Sequence, residues 1–178
     1  MNRRSAVKQV LFVSAGAVLI PACFQDKASV TFSNFSLTGS QEKMLASLAS
    51  AIIPTTSDFI GAADIKAHQF ALMMIDECET PETQKKFAEG MADFEKLVDK
   101  QYNQNFNRLS KDQSKELLTK MEVKTGVPES VQMFYQAFKT YTIQAFTSSD
   151  KYMTNVRKYK MVPGSNFKGC VPVASKNS

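Results

Sequence analysis

Residues with the chemistry for catalysis are few in this chain, and their spacing works against it. His68 is the single histidine, and Cys78 follows it ten positions later. On one helix that spacing separates the two side chains by about 15 Å of rise and roughly 80° of rotation, too far for a Cys–His nucleophile pair. Structural zinc takes about four Cys/His ligands. Past the first cysteine, Cys23, the chain offers His68, Cys78 and Cys170. Asp76, Glu77 and Glu79 form an acidic cluster that could flank a sugar; the plainer reading is a solvated helix face. The haem-attachment pattern C-x-x-C-H, the nucleophile elbow G-x-S-x-G and the dinucleotide pattern G-x-G-x-x-G are all missing. Gly164 to Gly169 has the outer glycines of a phosphate loop. Cys170-Val171 stands, however, where lysine and a hydroxyl residue would hold phosphate and Mg²⁺. Met73, Met74 and Met91 read as core fillers, and His68 as a structural or interface side chain. No catalytic, cofactor-binding or metal-binding residue is expected on this chain.

The N-terminus carries chemistry of another kind. Met1 to Ala22 has a basic tip (Arg3, Arg4, Lys8) and an apolar run from Val10 to Ala22 broken by Ser14. This is a secretory leader, shorter than the roughly 20 apolar residues of a membrane-spanning helix. Asn2-Arg3-Arg4-Ser5-Ala6-Val7-Lys8 resembles a twin-arginine export signal, with Ala6 where a larger apolar residue is usual. Ile20-Pro21-Ala22-Cys23 resembles a lipobox, in which the cysteine is lipidated and becomes the new N-terminus. The alternative is an ordinary basic leader with an incidental Cys23. Acyl chains contribute about 0.8 kcal/mol per buried methylene, so a multiply acylated Cys23 would hold the protein on a bilayer. The expected location is the bacterial cell envelope, on its periplasmic side.

Charge and cysteine usage follow from the leader. Without Arg3, Arg4 and Lys8, the chain carries 19 basic against 17 acidic residues, a net charge of +2. The positive excess is therefore mostly export signal, and no nucleic-acid partner is expected. Lipidation of Cys23 leaves Cys78 and Cys170 as an even pair in an oxidising compartment, expected to form a disulfide. With 91 residues between them, such a bridge stabilises by about 4 kcal/mol in the chain-entropy model. The alternative leaves Cys78 a buried free thiol and Cys170 a loose tail residue.

The elements that must hold these groups read as helices. Residues 23–37 lack helical period and read as a tether with room for a short strand. Thr38 and Gln41 make a capping box for a helix from Gly39 to Ile53, whose Leu45, Leu48, Ala49 and Ile52 share one face. Pro54 stops it, and Pro54 to Asp58 is a loop. A second helix is expected over Ala63 to Cys78, and a third from Pro81 to Tyr102 with Phe87, Met91, Phe94 and Val98 inward. Asn103 to Arg108 reads as a polar break. Ser110 and Gln113 box a fourth helix carrying Leu117, Leu118 and Met121. Glu129 to Thr147 is the strongest pattern, with Val131, Phe134, Phe138, Tyr141 and Ala145 in register, and a short helix follows through Tyr152 and Val156. Pro163, Gly164, Gly169 and Pro172 impose an irregular tail. The expected fold is all-α: one domain over 38–178, a bundle of five to six helices with an extended, disulfide-stapled C-terminal tail.

Several of these pieces together resemble a known family. They are the twin-arginine-like leader, Ile52-Ile53-Pro54-Thr55-Thr56, Gly61-Ala62-Ala63-Asp64, the helix ending Asp76-Glu77-Cys78, and Phe167-Lys168-Gly169-Cys170. The chain resembles the gluconate 2-dehydrogenase subunit 3 family over nearly its whole length, with Ile60-Gly61-Ala62 where members often have Pro-Gly-Ala. The resemblance implies an accessory role. In such complexes a large subunit of the glucose–methanol–choline oxidoreductase family holds FAD and oxidises a sugar or polyol, and a cytochrome c often takes the electrons. The small subunit carries the export signal that its partner commonly lacks. A free-standing envelope lipoprotein that binds a ligand or protein is the alternative from another class, and a hydrolase or isomerase with an unread site is a third.

Overall fold

The computed structural model describes residues 28, 29 and 32–159. Six α-helices and one 3-10 turn make up the regular structure, with no strand among the described residues. They are α1 (Gly39–Ile52), α2 (Ala67–Cys78), α3 (Pro81–Tyr102), the 3-10 turn Phe106–Arg108, α4 (Lys111–Glu122), α5 (Glu129–Ser148) and α6 (Asp150–Asn155). The all-α expectation holds. The leader, Cys23 and the tail from Lys160, with Cys170, lie outside the described residues.

Helix starts are set by side chains that satisfy otherwise unpaired backbone N–H groups. Thr38 accepts from the Gln41 amide at 3.2 Å, and Gln41 accepts from the Thr38 amide at 3.1 Å. Ser110 and Gln113 repeat this reciprocal box at α4. Thr80 caps α3 ahead of Pro81, and Ser149 caps α6. α3 ends at Asn103, which takes the left-handed conformation that closes a helix.

α5 is the central helix, packed against α3 on one side and α2 on another. Its Val131, Phe134, Phe138 and Ala145 are buried as the spacing required, and Tyr135 and Thr142 join them. Phe134 meets Phe87 of α3 at 5.0 Å and Phe94 at 5.5 Å between ring centres, both tilted contacts within the separation typical of aromatic pairs. The break after α3 is less polar than its composition implies. Phe106 in the 3-10 turn is buried and packs on Phe94.

Two expectations need correction. α2 begins at Ala67, not Ala63, because residues 62–66 form turns and Lys66 is left-handed at φ 52°. The Ala62 amide donates to the Ile53 carbonyl of the preceding loop, and the Lys66 amide closes a turn on the Ala63 carbonyl. The second concerns Asp76, expected on a solvated face. It is buried and accepts the amides of Ser33 and Asn34, both at 2.8 Å. Asn34 also donates its side-chain amide to the Asp76 carbonyl at 2.7 Å, and buried Gln84 donates to the same carbonyl. Within the stretch read as a tether, Phe32 stacks on Phe35 and Phe35 leans on Phe87. Residues 32–37 are thus docked on the bundle.

Candidate functional site

The loop joining α1 to α2 carries two of the pieces behind the family resemblance, Ile53-Pro54-Thr55-Thr56 and Gly61-Ala62-Ala63-Asp64, and it has a defined shape. Asp64 is its knot. One carboxylate oxygen accepts from the Thr55 hydroxyl at 2.6 Å and from the Gly61 amide at 2.8 Å. These hydrogen bonds, Thr55 first, hold the Asp64 carboxyl below the usual aspartate range. Thr56 closes a smaller ring inside the loop, donating its amide to the Phe59 carbonyl at 2.9 Å and accepting the Phe59 amide on its hydroxyl. Phe59 then sets its edge against Phe146 of α5, which in turn contacts Tyr152 of α6.

Gly61 lets the strands of this loop approach. A Cβ there would lie 2.4 Å from the Thr55 nitrogen and 2.7 Å from both the Ile53 oxygen and the Pro54 carbonyl carbon. All three are backbone atoms and cannot rotate away. Gly61→Val should therefore open the loop and lower stability by about 2–3 kcal/mol, the upper range of overpacking costs. Chemical denaturation checks this; an unchanged midpoint would refute the close packing.

The loop presents Pro54 to Asp58 to solvent above two shallow hollows. One lies between Asp64, Phe70, Ala145 and Lys151, the other between Thr56, Phe59, Ile60 and Asn155. A separate groove of about 420 Å³ runs between α1, the 3-10 turn and α4, floored by Ala51, Pro54, Phe106 and Leu109 and rimmed by Lys111 and Lys115. The loop is thus tied internally by hydrogen bonds and carries an exposed, mostly polar tip.

Several titratable groups elsewhere are committed to structure. Glu79 accepts from Tyr141 at 2.5 Å, and that bond, with burial, pushes the phenol up to about 12. Glu122 accepts from Lys139 and from Tyr135, the latter at 2.6 Å; these bonds, Lys139 first, hold its carboxyl below the usual range. The acidic cluster is therefore split: Asp76 faces inward, Glu79 binds Tyr141, and Glu77 is the member left exposed to solvent. No group of three metal-ligating side chains occurs among the described residues. Cys78 is an exposed free thiol there, not the buried one of the alternative reading; Cys170 lies outside.

His68 is 9% exposed at the start of α2 and faces Glu42 across 3.9 Å, with its Nδ1 buried and unpartnered. Burial opposes Glu42 ionisation, but bonds from the Ser29 hydroxyl and amide and from Gln69 outweigh it and keep the carboxyl low. For His68, burial lowers the imidazole below its ordinary 6.5; the Glu42 charge works against this and Lys66 with it. A histidine depressed in the folded state binds its proton more readily when unfolded. Its contribution is complete above about pH 6.5 and is lost as the pH falls from there through the folded value. The melting temperature should decline from pH 7 to pH 5 more steeply in the wild type than in His68→Gln. Parallel profiles would show that His68 does not carry the effect.

One comparison decides the family. The gluconate 2-dehydrogenase subunit 3 model matches residues 39–164, more than half of the chain, from the first turn of α1 past the end of α6. The chain belongs to the gluconate 2-dehydrogenase subunit 3 family. No curated protein and no solved structure matches it significantly. The subunit 3 match spans the Asp64-knotted loop and the whole bundle of described helices, and membership makes the chain an accessory subunit type of a gluconate 2-dehydrogenase-like complex. No helix among the described residues is long and apolar enough to cross a membrane.

Proposed function

We propose that this chain is the non-catalytic small subunit of a membrane-associated, FAD-dependent sugar or polyol dehydrogenase, and that it escorts and stabilises the large flavin subunit during and after export. The family match carries the reading. The side-chain chemistry agrees with it: Asp76, Glu79 and Glu122 hold the fold together, and His68 is packed against Glu42. FAD belongs on the large glucose–methanol–choline-type partner, and a cytochrome c completes the electron path. Arg3 and Arg4 direct export, and Cys23 bears the lipid anchor.

The physical logic of an escort is specific. Flavin loading requires a folded large subunit, and the twin-arginine route carries folded proteins. A partner without its own signal must therefore be bound before export, through an interface of the obligate kind, typically above about 2,000 Å² and apolar. Exposed Met133 and Ile143 on α5, with Val156 and Tyr159 beyond α6, are apolar side chains available to such a contact.

One observation favours the alternative of a free-standing ligand-binding lipoprotein. The groove between α1 and α4 falls within the roughly 300–1,000 Å³ of small-molecule pockets. Purification from solubilised membranes followed by mass spectrometry separates the two. The escort reading expects a stoichiometric flavin oxidoreductase and an N-terminal peptide starting at acylated Cys23. Recovery of the chain alone, free of flavin protein, would favour the lipoprotein.

A further inference from the structure

The groove between α1 and α4 has two unlike walls. On the α1 side, Ser47 and Ser50 give their hydroxyl protons to the carbonyls of Lys43 and Ala46, both at 2.9 Å. That wall has spent its side-chain donors. Ala51 and Pro54 continue it, and Phe106 and Leu109 supply an apolar floor. The α4 side is the opposite in character. Lys111, Ser114 and Lys115 line it, joined by Asn107 of the 3-10 turn. The Ser114 hydroxyl and the Asn107 side-chain amide have no hydrogen-bond partner among the described residues.

The charge on that wall is uncompensated. Lys111 and Lys115 are one helical turn apart, where like charges repel and slightly destabilise their own helix. Neither makes an ion pair among the described residues, whereas Lys120 on the same helix holds Glu116 at 2.7 Å. Asp112, next to Lys111, falls about 100° further around the helix. Among the described residues no carboxylate lines the groove. A positive rim therefore stands beside an apolar floor with nothing to neutralise it.

We infer that this groove binds a small anionic amphiphile, a free medium-chain fatty carboxylate, with its head between Lys111 and Lys115 and its chain on Ala51, Phe106 and Leu109. Charge complementarity selects the head, and the Ser114 and Asn107 donors are placed to complete its hydrogen bonds. The floor selects the tail, because a wholly polar anion would take no apolar surface out of water. Size selects a single chain: about 420 Å³ is near the lower end of small-molecule sites and too small for a two-chain phospholipid. The ammonium groups are relieved of their mutual repulsion when the carboxylate sits between them.

Isothermal titration calorimetry tests this on the full chain with Cys23→Ser, so that no acyl group on the protein competes. Octanoate should bind at one site, about four-fold more tightly than hexanoate, as expected when two methylenes are half removed from water. Acetate lacks the tail and 1-octanol lacks the charge, so each should bind at least about ten-fold more weakly than octanoate. Lys111→Gln with Lys115→Gln should weaken octanoate about ten-fold, the scale of two solvent-exposed charge contacts. Lys85→Gln with Lys86→Gln makes the same charge change on α3, outside the groove, and should leave binding unchanged. The groove variant should melt no lower than the parent chain, since it removes a repelling pair. No octanoate binding, equal weakening in the two lysine variants, or 1-octanol bound as tightly as octanoate would each overturn the site. The experiment needs no dehydrogenase partner, so its outcome is independent of the escort reading.

Discussion

Arg3→Lys with Arg4→Lys strands two proteins, not one. If the leader is a twin-arginine signal, the paired guanidinium groups are its address, and lysine keeps the charge while removing the planar fork. An ordinary basic leader would tolerate the exchange, since it needs only positive charge before the apolar run. Under the escort reading the large flavin subunit has no signal of its own, so it should accumulate in the cytoplasm together with this chain. Dehydrogenase activity at the membrane should fall to background, while the flavin protein remains folded and loaded. Cell fractionation with an activity stain checks this. Normal export of both proteins from the double variant would remove the twin-arginine reading.

A second large effect is expected at the seam of the bundle. Gly90 lies in the middle of α3, where glycine costs about 1 kcal/mol relative to alanine. The seam explains it: a Cβ at this position would stand 2.3 Å from the Ser130 carbonyl oxygen and 2.7 Å from the Phe134 Cβ on α5. α3 and α5 form the most extensive helix pairing in the structure. Gly90→Val must push them apart and loosen Phe87, Phe94 and Phe134 together. Overpacking of this kind costs about 3 kcal/mol, a large part of the 5–15 kcal/mol typical of a domain. The melting temperature should drop by roughly 6–12 °C for a chain of this size. Gly126, at φ +68° with nothing near its missing Cβ, is the control: Gly126→Ala should cost only about 1 kcal/mol through backbone strain. Equal losses at the two positions, read by thermal denaturation, would mean that the seam is not tightly packed.

Local signals in the sequence carried much of the architecture. Both capping boxes, the proline start of α3 and the apolar registers of α3 and α5 depend on residues within a turn or two of each other, and all stand where the spacing put them. The discrepancies arise where distant residues intervene. Residues 63–66 have helical composition, but Asp64 reaches back to Thr55 and Gly61, and those bonds hold the segment in turns. Asp76 looked like a member of a solvated cluster because the amides that satisfy it come from Ser33 and Asn34, over forty residues away. Phe106 was hidden in a polar stretch by its neighbours, although Phe94 covers it. Gly90 did leave a sign, since an isolated glycine inside a strong helical pattern often marks close packing.

The site was legible as a sequence piece and not as a shape. Pro54-Thr55-Thr56 and Gly61-Ala62-Ala63-Asp64 are among the pieces that carry the family resemblance, yet nothing in their spacing indicates that one carboxylate ties them together. The loop's rigidity comes from that tie and from the space left by Gly61.

Under the escort reading, the flavin subunit depends on this chain to reach the envelope. The direct measurement is the amount of large subunit in the envelope fraction, by quantitative mass spectrometry, in cells with and without the gene for this chain. Without it the large subunit should be lost from the envelope and retained in the cytoplasm, and this chain supplied in trans should restore it. A large subunit present in the envelope at normal levels in the absence of this chain would contradict the escort role.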